Sequence, residues 1–129
     1  NLDIMMTEKY VQEEAKWLKT VVESEEYKNA EVKIAFCHIP PSPTGWYGNA
    51  TVSKYVVPLL NGTGLDMMLC AHIHKYSYRE AGKNGCDFPV LCNANQQRLD
   101  ATVDKNGIKI EIYDASGAKL HSLKFDKKK

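Results

Sequence analysis

The spacing of hydrophobic and polar positions changes twice along the chain. Over residues 7–27 the apolar residues Tyr10, Val11, Trp17, Leu18, Val21 and Val22 fall at helical spacing, with Glu14 the polar exception in the stripe. Thr7 stands where an N-cap is wanted, and Lys28-Asn29-Ala30-Glu31 ends the helix. Residues 32–37 then read as a strand, followed by a loop dense in breakers: Pro40, Pro41, Pro43, Gly45, Gly48 and Asn49. A second helix is predicted over residues 50–60, stopped by Asn61-Gly62-Thr63-Gly64, and a second strand over residues 66–71. Strand, loop, helix and strand in that order make a βαβ unit with parallel strands.

Beyond His74 the pattern turns to β. Residues 76–80 and 88–93 read as short strands separated by Gly82-Lys83-Asn84-Gly85. From Arg98 the period is two, with turn signals at Asp104-Lys105-Asn106-Gly107 and Ala115-Ser116-Gly117, which predicts an antiparallel meander through Phe125. The fold class is α/β, a βαβ unit followed by a meander, in a single domain over residues 1–129. No repeat or low-complexity segment interrupts it.

Candidate chemistry sits at the ends of the two parallel strands. Three of the four histidines lie there, in Cys37-His38-Ile39-Pro40 and Ala71-His72-Ile73-His74. A right-handed crossover brings both strand ends to one edge of the sheet, where open α/β sheets place their ligands. Imidazole is the commonest protein metal ligand, and a His-x-His pair on extended backbone projects both rings to one side. His38, His72 and His74 are therefore predicted to form a metal-binding group. Three imidazoles could hold Zn²⁺ with water in the fourth position, whereas a two-metal phosphoester centre also needs oxygen ligands such as Asp and Asn. Asn49, Asp66 and Asn93 are available, but each has a structural explanation, as N-cap, strand start and turn residue. His121, on an alternating strand, reads as a sheet-face or surface histidine.

Composition adds bounds. A chain of 129 residues that is 43% hydrophobic can build one domain with a core of its own. A net charge of +1 exerts no general pull on nucleic acid or acidic membranes, and the Lys127-Lys128-Lys129 end reads as a solvated tail. No apolar run approaches the roughly 20 residues that span a bilayer. Of the cysteines, Cys37 and Cys70 read as buried free thiols, and Cys86 and Cys92 could bridge across a turn in an oxidising compartment. With no C-x-x-C pair, a structural zinc knuckle is not indicated. The chain opens at Asn1 and enters a helical pattern almost at once, which suggests a piece of something longer.

The ordered motifs Phe36-Cys37-His38-Ile39-Pro40-Pro41 and Cys70-Ala71-His72-Ile73-His74 resemble the C-terminal half of calcineurin-like metallophosphoesterases, of the purple-acid-phosphatase-like kind. The helix around Glu13-Glu14-Ala15-Lys16-Trp17-Leu18-Lys19 is similar to the family's Trp-Leu helix, and Tyr76 to its His-x-Tyr. The closing Asp-x-Ser-Gly turn, here Asp114 to Gly117, fits as well. The resemblance implies part of a four-layer α/β/β/α sandwich and hydrolysis of phosphoesters by a metal-bridging hydroxide. It also implies two divalent or trivalent ions (Fe, Zn or Mn), with His38 and His72 on one and His74 on the other. Trp46, Tyr47 and Tyr76 would shape the pocket for a phosphorylated small molecule or protein.

Some family features depart or are missing. Ala71 stands where the family prefers Gly, and Arg79 sits one position later than the pattern's Arg. The family's earlier Asp-x-His, Gly-Asp-x-x-Asp and Gly-Asn-His motifs have no match here. The expectation is thus the C-terminal portion of a metallophosphoesterase domain, itself inactive, with metals absent or weakly held. The alternatives are a non-catalytic binding or regulatory module and a mononuclear zinc protein. A truncated sheet is further expected to leave a face or edge uncovered and to self-associate through it. Localisation stays open, although exported relatives favour an extracytoplasmic parent.

Overall fold

The computed structural model describes residues 2–126, so the predicted Lys127-Lys128-Lys129 tail lies outside the described residues. Helix α1 spans Leu2–Glu23, and Thr7 lies inside it rather than capping it. The preceding residues contain neither Gly nor Pro and continue the helix backward. The predicted helix instead breaks at Ser24, which adopts extended backbone and accepts a hydrogen bond from the Tyr27 N–H, so that it caps α2 (Glu25–Asn29).

Strand β1 (Ile34–Phe36) is aligned with β2 (Met67–Cys70) by a clamp at their starts. The Asp66 carboxylate accepts the Lys33 N–H at 2.8 Å, and the Asp66 N–H donates to the Lys33 carbonyl at 2.9 Å. This sets the parallel register Ile34↔Met67, Ala35↔Met68, Phe36↔Leu69. Between them run α3 (Tyr47–Tyr55) and α4 (Val57–Leu60), where a single helix was expected. Pro58 has no N–H to continue the ladder, which divides the helix near Val56. Asn49 is inside α3 and is not its N-cap. Trp46 takes that position, and the Asn49 amide donates to the Pro40 carbonyl at 2.8 Å.

Two short strands complete the first sheet: β3 (Ser77–Arg79) and β4 (Val90–Cys92). The order is β1-β2-β4-β3, with β2 parallel to both neighbours and β3 antiparallel to β4. The meander forms a second sheet, β5 (Arg98–Asp104), β6 (Gly107–Tyr113) and β7 (Lys119–Asp126), antiparallel throughout. Its second turn is held by Asp114, whose carboxylate accepts the N–H groups of Ser116 and Ala118.

Alternation along the strands sorts side chains into two cores. Met68, Cys70, Val90 and Cys92 face the helices and pack with Val57, Leu60 and the partly buried Leu18 and Val22. Met67, Leu69 and Leu91 face the second sheet and meet Ile108, Ile110 and Ile112 of β6. The outer face of that sheet carries Lys109, Glu111 and Lys124, the polar half of the period-two pattern. Three layers of the expected four, α/β/β, are therefore built by the described residues.

All four cysteines are free, which corrects the suggested Cys86–Cys92 bridge. Cys86 closes a tight turn, its carbonyl accepting the Gly82 N–H at 2.7 Å, whereas Cys92 lies on β4 opposite Cys70. Cys37 is half-buried and Cys70 buried.

Candidate functional site

The three parallel strands release their chains at one edge. Past the last register pair, the Cys37 N–H donates to the Leu69 carbonyl, the Ala71 N–H to His38 and the Asn93 N–H to Cys70, each at 3.0 Å. His38, His72 and Asn93 consequently leave the sheet side by side. Asp66 starts β2, at the opposite end of that strand, and takes no part in this edge.

His72 and His74 are not on extended backbone as the His-x-His reading assumed. Their φ angles are 62° and 58°, in the left-handed region, and between them the Ile73 N–H closes on the Ala71 carbonyl at 2.7 Å. The chain must leave β2 sharply here, because its next strand, β3, lies on the far side of β4. Left-handed non-glycine residues cost about 1–3 kcal/mol each and persist where surrounding structure imposes them. His is among the residue types that tolerate this region best.

The turn sets the His72 ring against His38. Nδ1 of His72 and Nε2 of His38 are 3.4 Å apart, and the rings meet edge to face at 82° with centroids 5.3 Å apart. Two imidazole nitrogens on one tetrahedral ion at about 2.0–2.1 Å stand roughly 3.3–3.4 Å from each other. This spacing fits a shared cation. His74 is exposed. Among the described residues, no group of three or more His, Cys, Asp or Glu side chains is arranged to hold a metal ion. The structure thus brings together two of the three predicted ligands.

Trp46 joins the pair. Its indole stacks on the His72 ring at 5.0 Å and 18°, and Tyr47 packs on the indole at 4.5 Å. The Pro-rich loop that carries Trp46 is pinned by the Arg79 guanidinium, which donates to the Pro41 carbonyl at 2.6 Å, and by the Asn49 amide on Pro40. Gly48 was not anticipated as part of this arrangement. A Cβ there would lie 2.1 Å from the Trp46 ring, so only glycine lets the indole occupy its place. The breaker-rich loop flagged the position, but nothing in the spacing revealed what it accommodates.

Tyr76 is placed elsewhere. Its ring stacks on His121 of β7 at 3.7 Å and 7°, against the core between the sheets, and burial raises its phenol above the usual range. His121 is thereby a sheet-face histidine. Asn93 lies at the histidine edge. Its amide nitrogen donates to the Gln97 carbonyl at 3.0 Å, while its Oδ1 is buried without a partner. Below the edge, the neighbouring Cys70 thiol lowers the Cys92 thiol, helped by the Arg79 charge and opposed by burial. The same contact, together with burial, raises Cys70.

Comparison with known proteins agrees with the architecture. Residues 1–76 match the family model described as calcineurin-like phosphoesterase. No curated protein matches the chain. Among solved structures, a Plasmodium protein titled "GAP50 the anchor in the inner membrane complex of Plasmodium" is similar, with a TM-score of 0.65 at 16% identity. The similarity covers 81% of this chain but 39% of that one, and at this identity it speaks to the fold. No helix among the described residues is long and apolar enough to cross a membrane. With the family match extending over residues 1–76 of 129, and with the sheet order and histidine edge in place, this chain belongs to the calcineurin-like phosphoesterase family.

Proposed function

We propose that this chain is the C-terminal portion of a purple-acid-phosphatase-like metallophosphoesterase domain, and that the complete domain hydrolyses a phosphoester of a small molecule or protein. The observation that carries the reading is the 3.4 Å approach of His38 Nε2 and His72 Nδ1 at the shared edge of the parallel strands. Family membership supports the reaction class. A similar structure of which this chain covers 39% supports a larger domain.

Members of the family typically bind two metal ions. His38 and His72 would hold one divalent or trivalent ion (iron, zinc or manganese) and His74 would contribute to the other. When bound, such ions polarise phosphoryl oxygens and lower the pKa of water. The chain's own contribution is positioning. Trp46 fixes the plane of the His72 ring, and the Trp46–Tyr47 pair walls one side of the edge with apolar surface suited to a substrate's organic group. Tyr76 has less support as a substrate contact, because His121 already occupies its ring face.

Two imidazoles without carboxylates hold a cation weakly, so the isolated chain should have little or no hydrolytic activity. Titration with Zn²⁺ or Mn²⁺, followed by histidine NMR, should perturb His38 and His72 together at high metal concentration. His38→Ala should remove the response at His72. Unperturbed rings at millimolar metal would overturn the ligand assignment. Hydrolysis of p-nitrophenyl phosphate by the isolated chain at enzymatic rates would overturn its predicted inactivity. One tightly held Zn²⁺ per chain, lost in His74→Ala, would favour the mononuclear zinc reading. The sequence upstream in the same gene, with or without Asp-rich motifs, separates an enzyme from a non-catalytic module.

The partner reading rests on β1. Among the described residues it pairs on one side only, and Phe36 and Trp17, which line one surface depression beside it, are 81% and 65% exposed. At high concentration two copies should associate through this edge. Light scattering that reads a monomer throughout, with Phe36→Glu unchanged from the parent chain, would remove this reading.

A further inference from the structure

Cys37, Cys70 and Cys92 stand in one lateral row across β1, β2 and β4. Cys70 and Cys92 are register partners on adjacent parallel strands. Cys37 follows Phe36, whose partner is Leu69, and so continues the row by one strand. All three side chains are on the helix-facing side of the sheet, in or against the same core cluster. Adjacent strands are about 4.7–4.9 Å apart, within the roughly 4.4–6.8 Å range of Cα separations that disulfides span. The thiols are nevertheless free, and phosphoester hydrolysis has no use for them.

Charge rather than access distinguishes members of the row: Cys37 and Cys70 line an open cavity with Phe36, His38, Leu69 and Ala71, whose wall carries no Lys or Arg. Cys92 borders an open cavity of about 290 Å³ whose wall also carries Ser42, Thr44, Ser77 and Arg79. Ser77 and Arg79 come from β3, with Ser77 directly opposite Cys92. Cys92 thus borders this cavity beside a guanidinium, although almost none of the residue's own surface is exposed. Cys70 lies next to it on the side away from β3.

We propose that Cys92 and Cys70 form a hydroperoxide-reactive thiol pair that closes to a disulfide between β4 and β2. Cys92, as its thiolate, attacks the terminal oxygen of a hydroperoxide. A sulfur–oxygen bond forms, the oxygen–oxygen bond breaks, and the departing alkoxide takes up the proton released by Cys92 and leaves as an alcohol. Arg79 stands on the cavity wall, where that negative charge develops. The Cys70 sulfur then attacks the sulfenic sulfur of Cys92. The sulfur–sulfur bond forms, the sulfur–oxygen bond breaks, and hydroxide leaves with the Cys70 proton as water. Two thiols are oxidised by two electrons while one hydroperoxide is reduced to an alcohol and water. The product ties two strands of the sheet immediately before His72.

The test uses the wild-type chain with hydrogen peroxide near stoichiometry, followed by alkylation and non-reducing peptide mass spectrometry. Fragmentation is needed to separate Cys92 from Cys86, which share the tryptic peptide between Lys83 and Arg98. The expected product joins Cys70 to Cys92, has lost two hydrogens, leaves Cys37 and Cys86 alkylated, and reverts with dithiothreitol. A Cys37–Cys70 bridge, over-oxidation without a bridge, or four unreacted thiols would overturn the proposal. In Cys70→Ser, dimedone should capture a sulfenic acid on Cys92, and labelling on Cys37 instead would count against the assigned order. Arg79→Gln should slow bridge formation several-fold, and an unchanged rate would remove Arg79 from the reaction. If either variant fails to fold, the wild-type product map still decides the pairing.

Discussion

Phe36 and Leu69 are register partners on neighbouring parallel strands and turn toward the same face of the same sheet, yet Leu69 is 9% exposed and Phe36 81%. The strands do not differ in pattern, since both place apolar residues on that face. What differs is the layer beyond. Leu69 is covered by β6, in a core with Ile108, Ile110 and Ile112, while β1 is the outer strand and only Val32 and Ile34 reach the rim of that core. Strand alternation chooses a face, and a second layer decides whether that choice yields burial. Fully burying a side chain of this size stabilises by about 1.5–3 kcal/mol, which Phe36 forgoes in this chain.

The comparison can be broken at several strengths. Leu69→Ala should destabilise the chain by about 2–5 kcal/mol, through lost transfer energy and the cavity left between the sheets, read from the urea midpoint at constant slope. Asp66→Ala should cost less, about 1–3 kcal/mol, because it leaves the Lys33 N–H without its carboxylate and frees the start of β1. Phe36→Ala should change stability by no more than about 0.5 kcal/mol while lowering self-association in light scattering. A loss from Phe36→Ala as large as that from Leu69→Ala would mean that β1 is covered in solution and that the contrast is not intrinsic to the chain.

The smallest effect lies on the outer face of the second sheet. Hydrogen bonds from Lys119 and then Lys109 pull the Glu111 carboxyl down to about 2. A lowered folded-state value means that the ion pairs contribute above the unfolded carboxylate range near pH 4.3, and that the contribution fades as pH falls from there through about 2. The thermal midpoints of wild type and Glu111→Gln should therefore differ slightly at pH 6 and converge toward pH 2. A gap that widened on acidification would contradict the assignment.

Much of this architecture is legible in the residues themselves. The helical stripe from Tyr10 to Val22, the period-two run from Arg98 and the turns at Asn106-Gly107 and Ser116-Gly117 are local signals, and each element appears where its signal lies. The element ends moved for local reasons that pattern reading underweighted, Ser24 as a cap and Pro58 as a missing donor. At the candidate site, the motifs identified His38 and His72, and the parallel crossover supplied a reason for them to meet. The extended backbone assumed for His72 and His74 failed because β3 pairs beyond β4, a long-range choice that forces the chain into a left-handed turn.

The sequence by itself determined which segments form helices and strands, which face of each is apolar, and that imidazoles follow two of the strands, because these follow from side-chain type and spacing over a few residues. Only the tertiary structure decided that β4 inserts beside β2, that the Trp46 indole lies over the His72 ring where Gly48 leaves room, and that Tyr76 turns to His121 instead. It also decided that three cysteines far apart in the chain line up across the sheet. Those outcomes depend on which surfaces cover one another, and covering is a property of the assembled layers that no local period encodes.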